Sequence, residues 1–209
     1  APDDRVMASV LVVPGRLAVP WTRSASLTAA LGRHLRTLHP PCMMVGPRAA
    51  CDTLWQAWAG DAEVDRWYDQ RLYVCDRLSG RAAVPGFRLA RMSEWREVAR
   101  HAAAMELDDL GRDPARTDRN LHARVVKERI EAGKTWVVER GGEVVFQINI
   151  GTSSKWGAQV GGTYVPPAHR GKGLATAGMR AITEVLLREH PVVTLHVNEA
   201  NTPAVRCYE

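Results

Sequence analysis

The sequence predicts an α/β (α+β) protein in two parts: a smaller N-terminal α/β domain over residues 1–80 and a larger domain over residues 87–209. Three observations carry this. Short apolar strands alternate with segments of helical period along the whole chain. The stretch from Leu78 to Gly86 holds two glycines and a proline and reads as a linker. Thr135–Val165 holds a run of three strands, followed by a long amphipathic helix, so strands and helices share one layered core. The composition agrees: of 209 residues, 45% are hydrophobic and 24% charged, too apolar for a disordered chain. No uncharged apolar run approaches the ~18 residues of a membrane span. The start, Ala1-Pro2-Asp3-Asp4-Arg5, lacks the basic-then-apolar pattern of a signal peptide. A cytoplasmic protein without a membrane partner is expected.

Met7–Val13 reads as a strand. Ser24–Leu38 reads as a helix, with Leu27, Leu31 and Leu35 one turn apart and Pro40-Pro41 ending it. Cys42–Val45 is a short apolar strand before Gly46-Pro47, Ala49–Trp58 a helix stopped at Gly60, and Arg71–Cys75 a strand. Beyond the linker come a strand, Phe87–Ala90, and a helix reaching Met105. Ser93 is placed to cap that helix by accepting a hydrogen bond from a first-turn N–H. Leu107–Arg119 is polar and broken by Gly111 and Pro114, and a helix from about Asn120 to Ala132 closes at Gly133. Thr135–Glu139 and Glu143–Ile150 flank Arg140-Gly141-Gly142, a hairpin signal, and Ala158–Val165 adds a third strand. Leu174, Gly178, Ile182, Val185 and Leu186 share one helical face up to His190-Pro191. Val192–Val197 is a strand, and Asn201 opens a last helix running to Glu209.

The 28 basic and 23 acidic residues leave a net charge of +5. This is compatible with anionic ligands, but a solvated surface is the simpler account of it. Only Lys127, Lys134, Lys155 and Lys172 are lysines, and the arginines are scattered among acids. No basic-aromatic stripe is legible, so nucleic acid is not an expected partner. Cys42, Cys51, Cys75 and Cys207 form no CxxC pair and none stands near a His at ligand spacing. No metal is expected, and the thiols read as reduced and partly buried. Trp55, Trp58 and Trp67 read as core of the N-terminal half.

A weak internal echo relates residues 7–58 to 158–209: strand, helix, proline, strand, helix. Cys42–Val45 falls opposite Thr194–Val197, and Ala50 and Leu54 fall opposite Ala204 and Tyr208. Either the first part is a degenerate copy of the second, or a common βαβα pattern recurs by chance. A degenerate copy would be non-catalytic, having neither the glycine loop nor the tyrosine.

That loop is Arg170-Gly171-Lys172-Gly173-Leu174-Ala175, between a strand and the long helix. Glycines let the backbone turn at positive φ and approach a ligand closely. Consecutive N–H groups then converge, and the helix start adds about half a positive charge. Such a bend suits a pyrophosphate. It is neither a Walker A loop nor a dinucleotide fingerprint, and turn chemistry alone can also place two glycines there.

The loop and its context resemble the GNAT superfamily of N-acetyltransferases. The acetyl-CoA loop of that family, Arg/Gln-x-x-Gly-x-Gly/Ala after a valine-ended strand, is matched by Arg170-x-x-Gly173-x-Ala175 after Thr163-Tyr164-Val165. A second family signature is matched by Leu195–Val197, Asn201, Ala204 and Tyr208-Glu209. The resemblance covers Phe87–Glu209. Residues 1–80, through Cys42–Pro47 and Leu54-Trp55, are similar to an N-terminal domain of unknown role carried by one bacterial GNAT subgroup. The resemblance implies the GNAT fold, with a mixed, mostly antiparallel central sheet. It also implies acetyl-CoA as cosubstrate, held by Thr163, Tyr164, Val165, Arg170, Gly171, Lys172, Gly173, Leu174, Ala175, Thr176 and Asn201. The family continues past Tyr-Glu into a closing hairpin that this chain lacks, so the last strand is expected to present an open edge.

Acetyl transfer to an amine requires a neutral nitrogen, and an ammonium at pH 7 adds more than about 4 kcal/mol to the barrier. The expected reaction is direct attack on acetyl-CoA by a primary amine, belonging to a small molecule, peptide or protein, in a ternary complex. By resemblance, Tyr208 protonates the departing thiolate and the Val165 N–H polarises the thioester carbonyl. Tyr208 could instead only pack, and Asn201 could serve as a helix cap. For the base, His196 stands where some family members carry a glutamate, and Glu106 beside Asp108 and Asp109 is its rival. Both also read as ordinary surface groups. The alternative to an enzyme is a non-catalytic acyl-CoA-binding sensor or scaffold, and a homodimer is left open.

Overall fold

The computed structural model describes residues 5–80 and 84–209. The first four residues of the chain, and Arg81–Ala83 within the expected linker, lie outside the described residues. Two compact units are defined, Ala1–Trp67 and Tyr68–Glu209.

The first unit comprises β1 (Ala8–Val13), β2 (Leu17–Thr22), α1 (Ala25–His34), β3 (Met43–Met44) and α2 (Arg48–Ala59). β1 and β2 pair antiparallel, and β2 runs parallel to β3 only at Leu17–Met43 and Ala18–Met44. The sequence reading holds no strand at 17–22, where Pro20 weakens the strand signal. The strand accommodates Pro20 where β3 no longer pairs with it. Leu54 and Trp58 of α2 bury against Ala18, with Val10, Val12, Leu35 and Met44 around them. Trp58 is core as expected, whereas Trp67 is 45% exposed, with the Arg48 guanidinium over its ring.

The second unit contains β4 (Gln70–Cys75), β5 (Phe87–Leu89), α3 (Trp95–Leu110), α4 (Pro114–Thr117), α5 (Arg119–Glu131), β6 (Thr135–Arg140), β7 (Glu143–Ser154), β8 (Gly157–Tyr164), α6 (Leu174–Leu186), β9 (Val193–Asn198) and α7 (Thr202–Tyr208). Its sheet has the order β4-β9-β8-β7-β6-β5. Every pair is antiparallel except β8 with β9. One face carries α6, whose Leu174, Met179, Ile182 and Leu186 cover Phe146, Ile148, Val160 and Leu195. The other carries α3 and α5, where Val98, Ala102, Val126 and Ile130 pack on Val137 and Val144.

Two structural differences from the sequence reading bear on the site. The strand assigned before the linker is β4, and it belongs to the second unit, so the units divide between Trp67 and Tyr68 rather than in the linker. β4 pairs with β9 from Gln70–Asn198 to Cys75–Val193, which occupies the edge expected to be open. Ser93 is not a helix cap: it lies in a short 3-10 turn before α3. The start of α3 is held instead by Glu94, which accepts the Arg91 N–H and a two-pronged pair of bonds from Arg88.

The internal echo has a topological counterpart. In each unit an antiparallel hairpin is followed by a helix, a strand parallel to the second hairpin strand over a two-residue contact, and a further helix. β2, not β1, takes the place of β8.

Candidate active site

Parallel pairing of β8 and β9 covers only Ala158–Val193 and Gln159–Thr194. Past that point the two strands diverge into a V. On the β8 arm, Asn149 pairs with Gly161 and Gln147 with Tyr164, so β8 carries one residue more than β7 between these pairs. Gly162 makes this bulge with φ +65°, and a Cβ there would stand 2.5 Å from Asn149 Nδ2. The bulge re-aims Thr163, Tyr164 and Val165. The Val165 N–H has no hydrogen-bond acceptor among the described residues.

The bend at 170–173 follows. Gly171 and Gly173 both have φ +71°, and an added Cβ at either would meet open space. Gly173 is the N-cap of α6, and no side chain caps that helix. The backbone N–H groups of residues 171–176 find no acceptor among the described residues. Six donors at the positive end of the α6 dipole are therefore left without an acceptor among the described residues. Lys172 bonds the Ala168 carbonyl at 2.9 Å, which folds its ammonium back onto the loop. Arg170 does not project freely into the bend: it donates to the Val165 carbonyl at 2.9 Å and to Asp108 at 3.0 Å.

On the opposite arm stand β9 and α7. Asn201 caps α7 by accepting from the Ala204 N–H at 3.2 Å, and its amide N–H donates to Asp109 Oδ1 at 3.0 Å. Tyr208 is half-buried against the α6-side core, with the Tyr73 ring of β4 at 5.9 Å. Burial pushes its phenol up to about 12; the Thr163 hydroxyl, which bonds to it, acts the other way, and Cys207 and Asp109 add to the rise. Tyr73 further donates to Glu209 at 3.3 Å, so β4 buttresses the end of α7.

The base candidates fare differently. His196 is exposed on β9, and its Nδ1 accepts from Gln159 Nε2 at 2.8 Å. Burial of the ring's inner side lowers its pKa. Glu106 faces Arg112 at 3.5 Å. The sequence reading named Asp109 only as a neighbour of Glu106, not as a candidate base; it lies in the last turn of α3. Its signal was present: an α-helix disfavours anions at its C-terminus, and here three acids occupy it. Burial is the main cause of a raised Asp109 pKa, with Asp108 adding to it and Asn201 and Arg170 opposing.

Among the described residues, no group of three or more His, Cys, Asp or Glu is placed to hold a metal ion, and no helix is long and apolar enough to cross a membrane.

The divergence of β8 and β9 thus lies beside a helix start whose N–H groups find no acceptor among the described residues. The model of the GNAT acetyltransferase family matches residues 93–209, more than half of the chain, and the chain belongs to that family. No curated protein matches it significantly. Among solved structures, a GNAT-family acetyltransferase from Colwellia psychrerythraea is similar over 97% of this chain and 75% of its own, at TM-score 0.60 and 11% identity. A tandem GNAT protein from the clavulanic acid biosynthesis pathway is similar over 97% and 74%, at TM-score 0.51 and 19% identity. A GNAT-family acetyltransferase from Novosphingobium aromaticivorans is similar over 70% and 59%, at TM-score 0.52 and 19% identity. These likenesses concern the fold, and the first two extend over both units.

Proposed function

We propose that this chain is a cytoplasmic enzyme that transfers an acetyl group from acetyl-CoA to a primary amine by direct attack in a ternary complex. The observation that carries the reading is the row of backbone N–H groups at 171–176 without an acceptor among the described residues, which begins in the exposed Gly171–Gly173 bend. A diphosphate supplies the acceptors those donors lack. The pantetheine arm would run along Thr163–Val165, and the Asn201 amide would meet it by exchanging or sharing its bond to Asp109.

The Val165 N–H is free to polarise the thioester carbonyl, and a fixed donor of this kind contributes about 3 kcal/mol to a developing oxyanion. Tyr208 has the proton the departing thiolate needs. Its raised pKa keeps the phenol protonated throughout the neutral range. Removal of the amine proton falls to a group on the α3 side of the V, where His196, Glu106 and Asp109 stand.

Calorimetry with acetyl-CoA, followed by thiol release with a panel of primary amines, tests the reading. Saturable binding, turnover with at least one amine, and a loss of about 100-fold in kcat for Tyr208→Phe with unchanged acetyl-CoA affinity are expected. Gly173→Val, which strains the φ +71° backbone at the bend, should abolish binding. Absence of acetyl-CoA binding by folded wild-type protein refutes the proposal. Binding without turnover, indifferent to Tyr208→Phe, identifies a non-catalytic module instead.

A further inference from the structure

Three carboxylates end α3, and they are not equivalent. Glu106 faces Arg112 at 3.5 Å and Asp108 is bonded to Arg170 at 3.0 Å. Asp109 pairs with no cation among the described residues. It is half-buried, with one oxygen, Oδ1, accepting from the Asn201 amide. The other, Oδ2, has no partner among the described residues. Its own backbone carbonyl accepts from Asn198 Nδ2 at 3.2 Å, which anchors the residue to the β9 arm of the V.

The placement follows from helix geometry. His101, Met105 and Asp109 recur at four-residue intervals and line one face of α3. His101 packs on the Tyr164 ring, with centroids 5.2 Å apart. Met105 Cε lies 3.8 Å from where a Gly162 Cβ would stand. Asp109 reaches Asn198 and Asn201. This face therefore runs from residues of the β8 arm to residues of the β9 arm, and its last residue carries a carboxylate oxygen without a partner among the described residues.

We propose that Asp109 is the general base of acyl transfer, taking the proton of the incoming ammonium on Oδ2. The inference rests on the acetyltransferase reading. The ammonium gives one proton to Asp109, and the neutral nitrogen attacks the thioester carbon. The carbon–sulfur bond breaks, and the thiolate takes the Tyr208 proton. The second nitrogen proton passes to the Tyr208 phenolate. Asp109 then releases its proton to solvent, so each turnover yields amide, free thiol and one proton.

Two further observations favour Asp109 over the other candidates. The Nδ1 lone pair of His196 is occupied by Gln159. An uncompensated acid in the last turn of a helix opposes the macrodipole, and such local conflicts persist at functional sites. Burial raises the Asp109 pKa toward what a base working near neutrality requires. The charged and titratable groups facing it are Arg170 from the bend, Asp108 on its own helix and Tyr208 of α7. Asn198 and Asn201 complete its polar surroundings.

The test compares an acceptor that must lose a proton with one that need not. The full chain is assayed for thiol release from acetyl-CoA, with the fastest primary amine of the panel and with hydroxylamine, which is neutral at pH 7. Asp109→Asn keeps the bond from Asn201 and should retain the wild-type acetyl-CoA affinity and melting temperature. Its kcat/KM for the primary amine should fall at least 100-fold while that for hydroxylamine falls less than threefold. With the primary amine, the rate of the variant should keep rising with pH toward the amine's own pKa instead of levelling off as the wild type does. Asp109→Glu, which restores a carboxylate, should recover part of the lost rate. An active wild type and an Asp109→Asn variant that loses nothing, or loses both acceptors equally, overturn the assignment of the base alone. A wild type that binds no acetyl-CoA or turns over no amine overturns the acetyltransferase reading and the base with it.

Discussion

His101 is 8% exposed, and its Nδ1 has no hydrogen-bond partner among the described residues. Neither amide atom of the fully buried Gln147 has one either. Burial, with the nearby Arg100 charge, lowers the His101 pKa to about 4 against the opposing influence of the neighbouring Gln147 amide, so the imidazole is neutral in the folded protein at neutral pH. The sign of the linkage follows. In the unfolded chain this ring takes up its proton near pH 6.5, and in the folded chain only near pH 4. Between these values the unfolded state binds more protons, so stability is fully present above about pH 6.5 and is lost as pH falls toward 4. The loss amounts to about 3 kcal/mol. Urea titrations at pH 7 and pH 4.5 should show it, and His101→Gln should flatten that part of the pH dependence. Equal slopes in both proteins would refute the assignment. Tyr208 behaves oppositely in charge but by the same cause: burial favours its neutral form, so the phenol stays protonated.

At the scale of elements, α6 presents the glycine bend only because it can lie close to the sheet. Gly178 makes this possible: a Cβ there would stand 2.5 Å from Phe146 Cε1 and Cζ, and Phe146 is fully buried and has no room to swing aside. Two effects compete in Gly178→Ala. The substitution gains up to about 1 kcal/mol in helix propensity. It costs about 1–3 kcal/mol in overpacking, so packing decides the sign. A lower urea midpoint is expected, and weaker acetyl-CoA binding with it, since the helix start moves as the helix is pushed off the sheet. Among the other elements, α5 and α7 were legible because their caps are local: Asp118 accepts from the Leu121 N–H, and Asn201 from the Ala204 N–H. The start of α3 was misread at Ser93. Its determinant is the Arg88–Glu94 pair, which depends on β5 running alongside rather than on the helix's own first turn.

For the whole molecule, the decisive feature is that β4 lies far from its partner in sequence and next to it in space. Gln70 donates to Asn198 across 128 residues, and Arg71 bonds Glu199 and Glu209. A fragment 68–209 contains every strand of the second sheet. A fragment 87–209 leaves β9 as an unpaired edge and deprives Tyr208 of its neighbour Tyr73. The longer fragment should be monomeric, fold cooperatively and bind acetyl-CoA. The shorter one should aggregate or bind at least tenfold more weakly, as measured by light scattering and calorimetry. Equal behaviour of the two fragments would show that β4 is dispensable.

The sequence by itself determined the parts whose cause is local. Glycines at 171 and 173 permit positive φ, the apolar spacing of 174–186 makes an amphipathic helix, and the Gly-Gly turn makes the hairpin of β6 and β7. Those parts include the bend, the tyrosine and the spacing between them, and hence the resemblance to a family. Only the tertiary structure decided that Arg170 is spent on Asp108, that β4 closes the edge of β9, and that Asp109, of the three acids ending α3, is the one without a cation among the described residues. Each of these depends on which groups meet across the sheet, and the period of a strand or helix says which face a residue takes but not what it will face there.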